Sequence, residues 1–149
     1  MKVRTALISL LAALLFSLPA MGQDGARIGV DASADFFLGP GGLPPVSVGI
    51  GIRARYGRPD QLVNGIAGLR YIYGTRLSGI QVPILLNFNL VRQEAFSLYL
   101  GGGYEFDFLG RYLGCMKLQA GILPGPNMDF RVFYKPYQAD LGVGFTYYF

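Results

Sequence analysis

Apolar side chains recur at every second position through most of this chain. The clearest run is residues 139–149, where Leu141, Val143, Phe145, Tyr147 and Phe149 alternate with Asp140, Gly142, Gly144, Thr146 and Tyr148. Successive side chains of an extended strand point to opposite faces, so this run predicts a strand with one apolar face and one polar or glycine face. The same alternation predicts seven more strands. Ile28, Val30, Ala32, Ala34, Phe36 and Leu38 alternate with Arg27, Gly29, Asp31, Ser33 and Asp35. Val46, Val48, Ile50, Ile52, Ala54 and Tyr56 alternate with Ser47, Gly49, Gly51, Arg53 and Arg55. A weaker third strand over 66–73 sets Ala67, Leu69, Tyr71 and Tyr73 against Arg70, and four others are predicted over 80–90, 96–107, 115–122 and 128–135. Loops and turns separate them at 39–45, 57–60, 74–79, 92–94, 109–114, 124–127 and 136–138, most of them rich in glycine or proline. Each strand is about the 9–11 residues that a tilted membrane strand needs, or a little shorter.

Alternation alone does not say which face meets water. A soluble barrel or sandwich would put the apolar face inside, yet that face collects about forty side chains, more than the interior of an eight-stranded barrel holds. The polar face carries the glycines, which weaken an exposed strand but leave room in a narrow lumen. On this reading alanine at Gly51 probes the lumen and is a milder change than arginine at Ile50. The aromatics fall near strand ends: Phe36, Tyr71, Tyr73, Tyr104, Phe106 and Tyr134 toward one rim, and Tyr56, Phe88, Phe96, Phe130, Tyr147 and Phe149 toward the other. Two aromatic girdles around an aliphatic band suit a bilayer. The charges share the glycine phase, with Arg27, Arg53, Arg55, Arg70, Lys117, Arg131 and Lys135 set against Asp31, Asp35, Glu105, Asp107, Asp129 and Asp140. The expected fold is therefore all-β, an eight-stranded antiparallel up-and-down transmembrane β-barrel. Its lumen is expected to be plugged by those charges, with Arg53, Arg55 and Arg70 bridging carboxylates on neighbouring strands.

The start of the chain changes the compartment. Lys2 and Arg4 precede an uncharged Leu/Ala run over 6–18, and Ala20, Met21 and Gly22 offer a small-x-small site. That is a secretory signal over 1–22, cleaved between Gly22 and Gln23, which leaves the barrel domain as 23–149. Its apolar run is too short to span a bilayer as a helix. No cysteine stands at the cleavage site, so a lipid anchor is not expected. The formal charge of +4 falls to +2 without Lys2 and Arg4, and the remaining cations stand singly, which gives no case for nucleic acid. Cys115 is the one cysteine, so no internal disulfide frames the fold.

The chain resembles the small outer-membrane β-barrel domain family, the OmpA-like and PorT-like eight-stranded barrels. The resemblance rests on residues 80–86 (IQVPILL), on the glycine-rich stretch 99–104, and on the aromatic C-terminal strand. It implies a bacterial outer-membrane location, with lipid and the barrel-assembly machinery as partners and Phe145, Tyr147 and Phe149 as the assembly signal. Pro83, which cannot donate to a strand ladder, is expected to mark a bulge. The brief loops depart from larger members and argue against a loop-borne receptor or adhesin role.

Candidate chemistry is sparse. The chain has no histidine, which removes Ser-His catalysis and His-ligated metal sites. Glu105 and Asp107 share one strand face and could pose as paired acids, but inward arginines are the better account of them. Cys115 lacks a base of the usual kind, and the glycines at 101–103 precede no helix that would make them a phosphate loop. No catalytic residue, cofactor or metal is expected. The expected function is a monomeric, non-catalytic membrane protein with a structural or accessory role, such as surface assembly or secretion. A narrow channel for ions or small solutes is one alternative, and a soluble exported barrel binding an apolar ligand is another.

Overall fold

The computed structural model describes residues 25–39, 46–74, 78–93, 95–108 and 113–149. The signal, its cleavage site at Gly22 and Gln23, and most of the 39–45 and 109–114 loops lie outside them. Eight strands follow in order: β1 (Ala26–Phe37), β2 (Val46–Tyr56), β3 (Val63–Gly74), β4 (Gly79–Arg92), β5 (Phe96–Asp107), β6 (Gly114–Pro124), β7 (Met128–Lys135) and β8 (Asp140–Tyr148). Each pairs antiparallel with its sequence neighbours, and β1 also pairs with β8 from Gly29–Tyr148 to Phe37–Asp140, which closes the barrel. Closure leaves no strand edge, as a sheet in lipid requires, because unpaired backbone groups find no water there.

The alternation decides the faces throughout. Val30, Ile50, Leu86, Leu100, Val132 and Val143 are exposed on the outer wall, whereas Arg70, Gln81, Glu105, Lys117 and Thr146 are buried in the lumen. β1, β3, β5 and β7 begin at the end of the barrel that holds Gly25 and Phe149, here the near rim; their other ends form the far rim. Tyr71, Tyr73 and Tyr104 stand outward toward the far rim, and Phe88, Phe96 and Tyr147 toward the near one. Rings pair along the wall at 4.9 Å for Tyr104 with Phe106 and 4.8 Å for Phe130 with Phe145.

Three expectations need correction. β3 starts at Val63 rather than near 66, because Val63 already pairs with Phe88 of β4. No bulge marks Pro83, which pairs with Glu105 of β5 in an unbroken register, and the register shift lies between Asn89 and Val91. Across β3 the register is the same on both sides of the proline, Ala67 with Ile84 and Arg70 with Gln81. A missing N–H removes one donor on one side of a strand and does not require an extra residue. Gly68 faces the ring, and a Cβ there would stand 3.3 Å from Pro83 Cγ.

The third correction is Gly51. A Cβ on it would lie 2.1 Å from the Leu69 carbonyl oxygen and 2.5 Å from Arg70 Cα. The obstacle is the backbone of the adjacent strand, not a lumen side chain that could turn aside. Gly103 of β5 meets the Ile84 carbonyl in the same way, at 2.2 Å. These glycines let the sheet coil tightly enough for eight strands to close, so alanine at Gly51 tests the contact between β2 and β3 rather than space in the lumen.

Candidate functional site in the barrel lumen

The lumen side chains form two charged layers and a near-rim vestibule. In the far layer Glu105 of β5 is the hub. Its Oε1 accepts from Arg70 Nη2 at 3.0 Å and pairs with Lys135 Nζ at 2.8 Å, and its Oε2 accepts from Lys117 Nζ at 2.7 Å. Asp35 of β1 accepts from Lys135 Nζ at 2.6 Å and from Arg70 Nη2 at 3.4 Å. Arg70 also donates to Gln81 Oε1 and to Ser33 Oγ. Phe133 turns its ring into this layer, with Lys117 Nζ 4.0 Å and Lys135 Nζ 5.5 Å from its centroid. The quadrupole of that ring gives the cations a second attraction besides the carboxylates.

The second layer lies nearer the Gly25 end. Arg131 Nη2 donates to Asp31 Oδ1, and Arg131 Nη1 donates to Thr146 Oγ1 at 2.8 Å. Thr146 in turn donates to Asp31 at 2.6 Å. Tyr99 OH donates to Asp129 Oδ1 at 2.7 Å, while Arg53 and Arg131 stand 3.7 Å and 3.9 Å from Asp129 Oδ2. Gln119 accepts from Arg53 at 3.3 Å and donates to Asn87 at 2.6 Å.

The pairing differs from the expectation of bridges between neighbouring strands. Arg70 on β3 reaches Asp35 on β1 and Glu105 on β5, and Arg53 on β2 approaches Asp129 on β7. In so narrow a barrel, a long side chain crosses the lumen as easily as it reaches sideways. Arg55 makes no ion pair with any described carboxylate. Its Nη2 donates to the Pro126 carbonyl at 2.8 Å, and its guanidinium lies 4.7 Å from the Tyr148 ring centroid.

All thirteen predicted charges sit on the lumen face. Twelve are buried, and Arg27 is half-buried at the near rim, donating to Asn127 Oδ1 at 2.7 Å. Asp107 and Asp140 are buried at the far rim, where Asp140 is the register partner of Lys135. Phe145 and Tyr147 face outward, and Phe149 rests against Tyr147 with ring centroids 5.7 Å apart. Sequence reasoning passed over the neutral members Ser33, Gln81, Asn87, Tyr99, Gln119, Phe133 and Thr146. Their inward phase is legible in the alternation, but they carry no formal charge that would mark them as members of the network.

It also missed a plug at the near rim. The segment between β2 and β3 folds back across the lumen, so that Pro59 is buried. The Pro59 carbonyl accepts from Asn89 Nδ2 at 3.0 Å and from Ser97 Oγ at 2.7 Å. Asn89 Nδ2 also donates to the Gln61 carbonyl at 2.6 Å. No group of three or more potential metal ligands occurs among the described residues.

The closed antiparallel barrel, apolar outside and charged within, defines the class: this is a transmembrane β-barrel fold. No family model matches the chain, and no curated protein matches it. Among solved structures it is similar to a chain described as "De novo design of transmembrane beta-barrels", at 16% identity and a TM-score of 0.56, over 86% of this chain and 98% of that one. That likeness is one of fold, and the fold fits a membrane location.

Proposed function

We propose that this protein is a non-catalytic integral barrel of a bacterial outer membrane, exported by its 1–22 segment, with a structural or accessory role and a lumen closed by its own side chains. The observation that carries the closed-lumen reading is the far layer, where Arg70, Lys117 and Lys135 converge on Glu105 from three other strands. Buried charges hold such an arrangement only when paired and hydrogen-bonded, and groups so paired leave little path for solutes. The buried Pro59 segment adds a second obstruction at the near rim. A lumen lined by charge also argues against storage of an apolar ligand. Purified protein in a planar bilayer is expected to show no stable open state. Steady conductance steps in most insertions, altered by Arg53→Ala, would move the narrow-channel alternative ahead.

The assembly reading is tested separately. The barrel is proposed to insert as a monomer through the barrel-assembly machinery, which reads Phe145, Tyr147 and Phe149 on the outward face of β8. Phe149→Asp is expected to leave the chain in the periplasm for degradation, with outer-membrane levels well below wild type. Normal membrane levels of that variant, measured by fractionation, would remove the assembly role of Phe149.

A further inference from the structure

The near rim opens into a vestibule of about 810 Å³, lined by Arg27, Arg55 and Arg58 together with Pro59, Pro126 and Phe149. Its charged side chains are unbalanced, three arginines to one acid, and the α-carboxylate of Phe149 forms no ion pair with Arg27 or Arg55. Asp60 is the only acidic side chain lining it among the described residues, and Asp60 already pairs with Arg58 at 3.1 Å. Arg27 and Arg55 make no ion pair with a described carboxylate. In the nearest layer Asp31 is held by Arg131 and Thr146, and Asp129 accepts from Tyr99 through Oδ1, while its Oδ2 accepts no hydrogen bond and stands 3.7 Å from Arg53 and 3.9 Å from Arg131 rather than beside Arg55.

Arg55 is the telling group. It is 1% exposed, and its Nε and Nη1 have no hydrogen-bond partner in the protein. Its Nη2 is held by the Pro126 carbonyl and its plane by Tyr148, so the guanidinium is fixed in orientation with two donors left over. A buried cation without a counter-ion is strongly destabilising, and an arrangement that fixes one at a cavity wall suits an anion entering the cavity. We infer that the near-rim vestibule is a binding site for a phosphate group, held by Arg27 and Arg55.

Phosphate fits better than a bare halide because its several oxygens can accept at once from the separate guanidinium groups of Arg27 and Arg55, which are register partners on β1 and β2. The vestibule is far larger than the anion, so the phosphate can carry a substituent. Two sources share this chemistry: a free phosphate or phosphate ester in the aqueous phase, and a phospholipid headgroup at the membrane surface beside Phe149, which is 73% exposed on the rim. The site does not depend on whether the lumen is closed.

The test is calorimetric titration of the purified full chain in dodecyl maltoside, free of phosphate, with inorganic phosphate as one probe. The second probe is dihexanoyl phosphatidylglycerol below its micelle concentration. Wild type is expected to bind at least one probe, and Arg27→Gln and Arg55→Gln are each expected to weaken that binding about tenfold or more. Binding of both probes means that the phosphate alone suffices; binding of the short lipid only assigns the site to headgroups. Arg55→Gln alters a buried residue, so if it fails to fold the half-buried Arg27→Gln decides alone. Arg58→Gln, which leaves both proposed ligands in place, is expected to weaken binding less than Arg27→Gln does. Absence of binding for both probes overturns the proposal, and so does binding that Arg27→Gln leaves unchanged.

Discussion

Glu105→Ala is expected to destabilise the folded barrel by about 3–5 kcal/mol, the range for removing one partner from a buried charge cluster. The carboxylate holds Arg70, Lys117 and Lys135 at 2.7–3.0 Å, and all four side chains are buried. Without it Arg70 and Lys135 keep Asp35, but Lys117 keeps no described carboxylate. Its remaining partner is the Phe133 ring. The effect comes from stranding a charge, so it should shrink when the charge leaves too. The double variant Glu105→Leu with Lys117→Met is therefore expected to be more stable than Glu105→Ala, as replacement of buried pairs by apolar groups often is. The measurement is reversible denaturant unfolding in phospholipid vesicles. A loss below about 1 kcal/mol for Glu105→Ala would mean that water solvates the cluster, and the closed-lumen proposal would fall with it.

Ile50→Arg is expected to cost about 2–4 kcal/mol in the same assay, as a cation at the bilayer midplane has neither water nor a partner. Ile50 is central in β2 and 68% exposed on the outer wall. Tyr73 is exposed to almost the same degree, 67%, but stands near the end of β3. Exposure alone therefore predicts equal effects, whereas depth in a bilayer predicts about 0–1 kcal/mol for Tyr73→Arg. Equal costs at the two positions would remove the membrane reading of the outer wall. No cost at either would favour a water-facing exterior.

The eight strands, their phase and the side on which every lumen charge falls were legible in the sequence. The reason is that a period of two is a local property: Ile50 and Gly51 must point oppositely whatever the rest of the chain does. The turns at 57–60, 124–127 and 136–138 were legible for a similar reason, since glycine and proline act on their own backbone. What depended on distance along the chain was not legible. The partners of Arg70 follow from the barrel's diameter and strand tilt, which bring β1 and β5 within reach of a β3 side chain. The bulge between Asn89 and Val91 rather than at Pro83 follows from the register each neighbouring strand imposes. The backbone contact at Gly51 appears only once β3 is laid beside β2. The burial of Pro59, and the two arginines at the near rim with no described carboxylate to pair, exist only after closure. Which residues face the lumen can be read from the chain alone, because alternation needs no partner; which of them meet emerges only on folding, because that is set by how far apart closure leaves the walls.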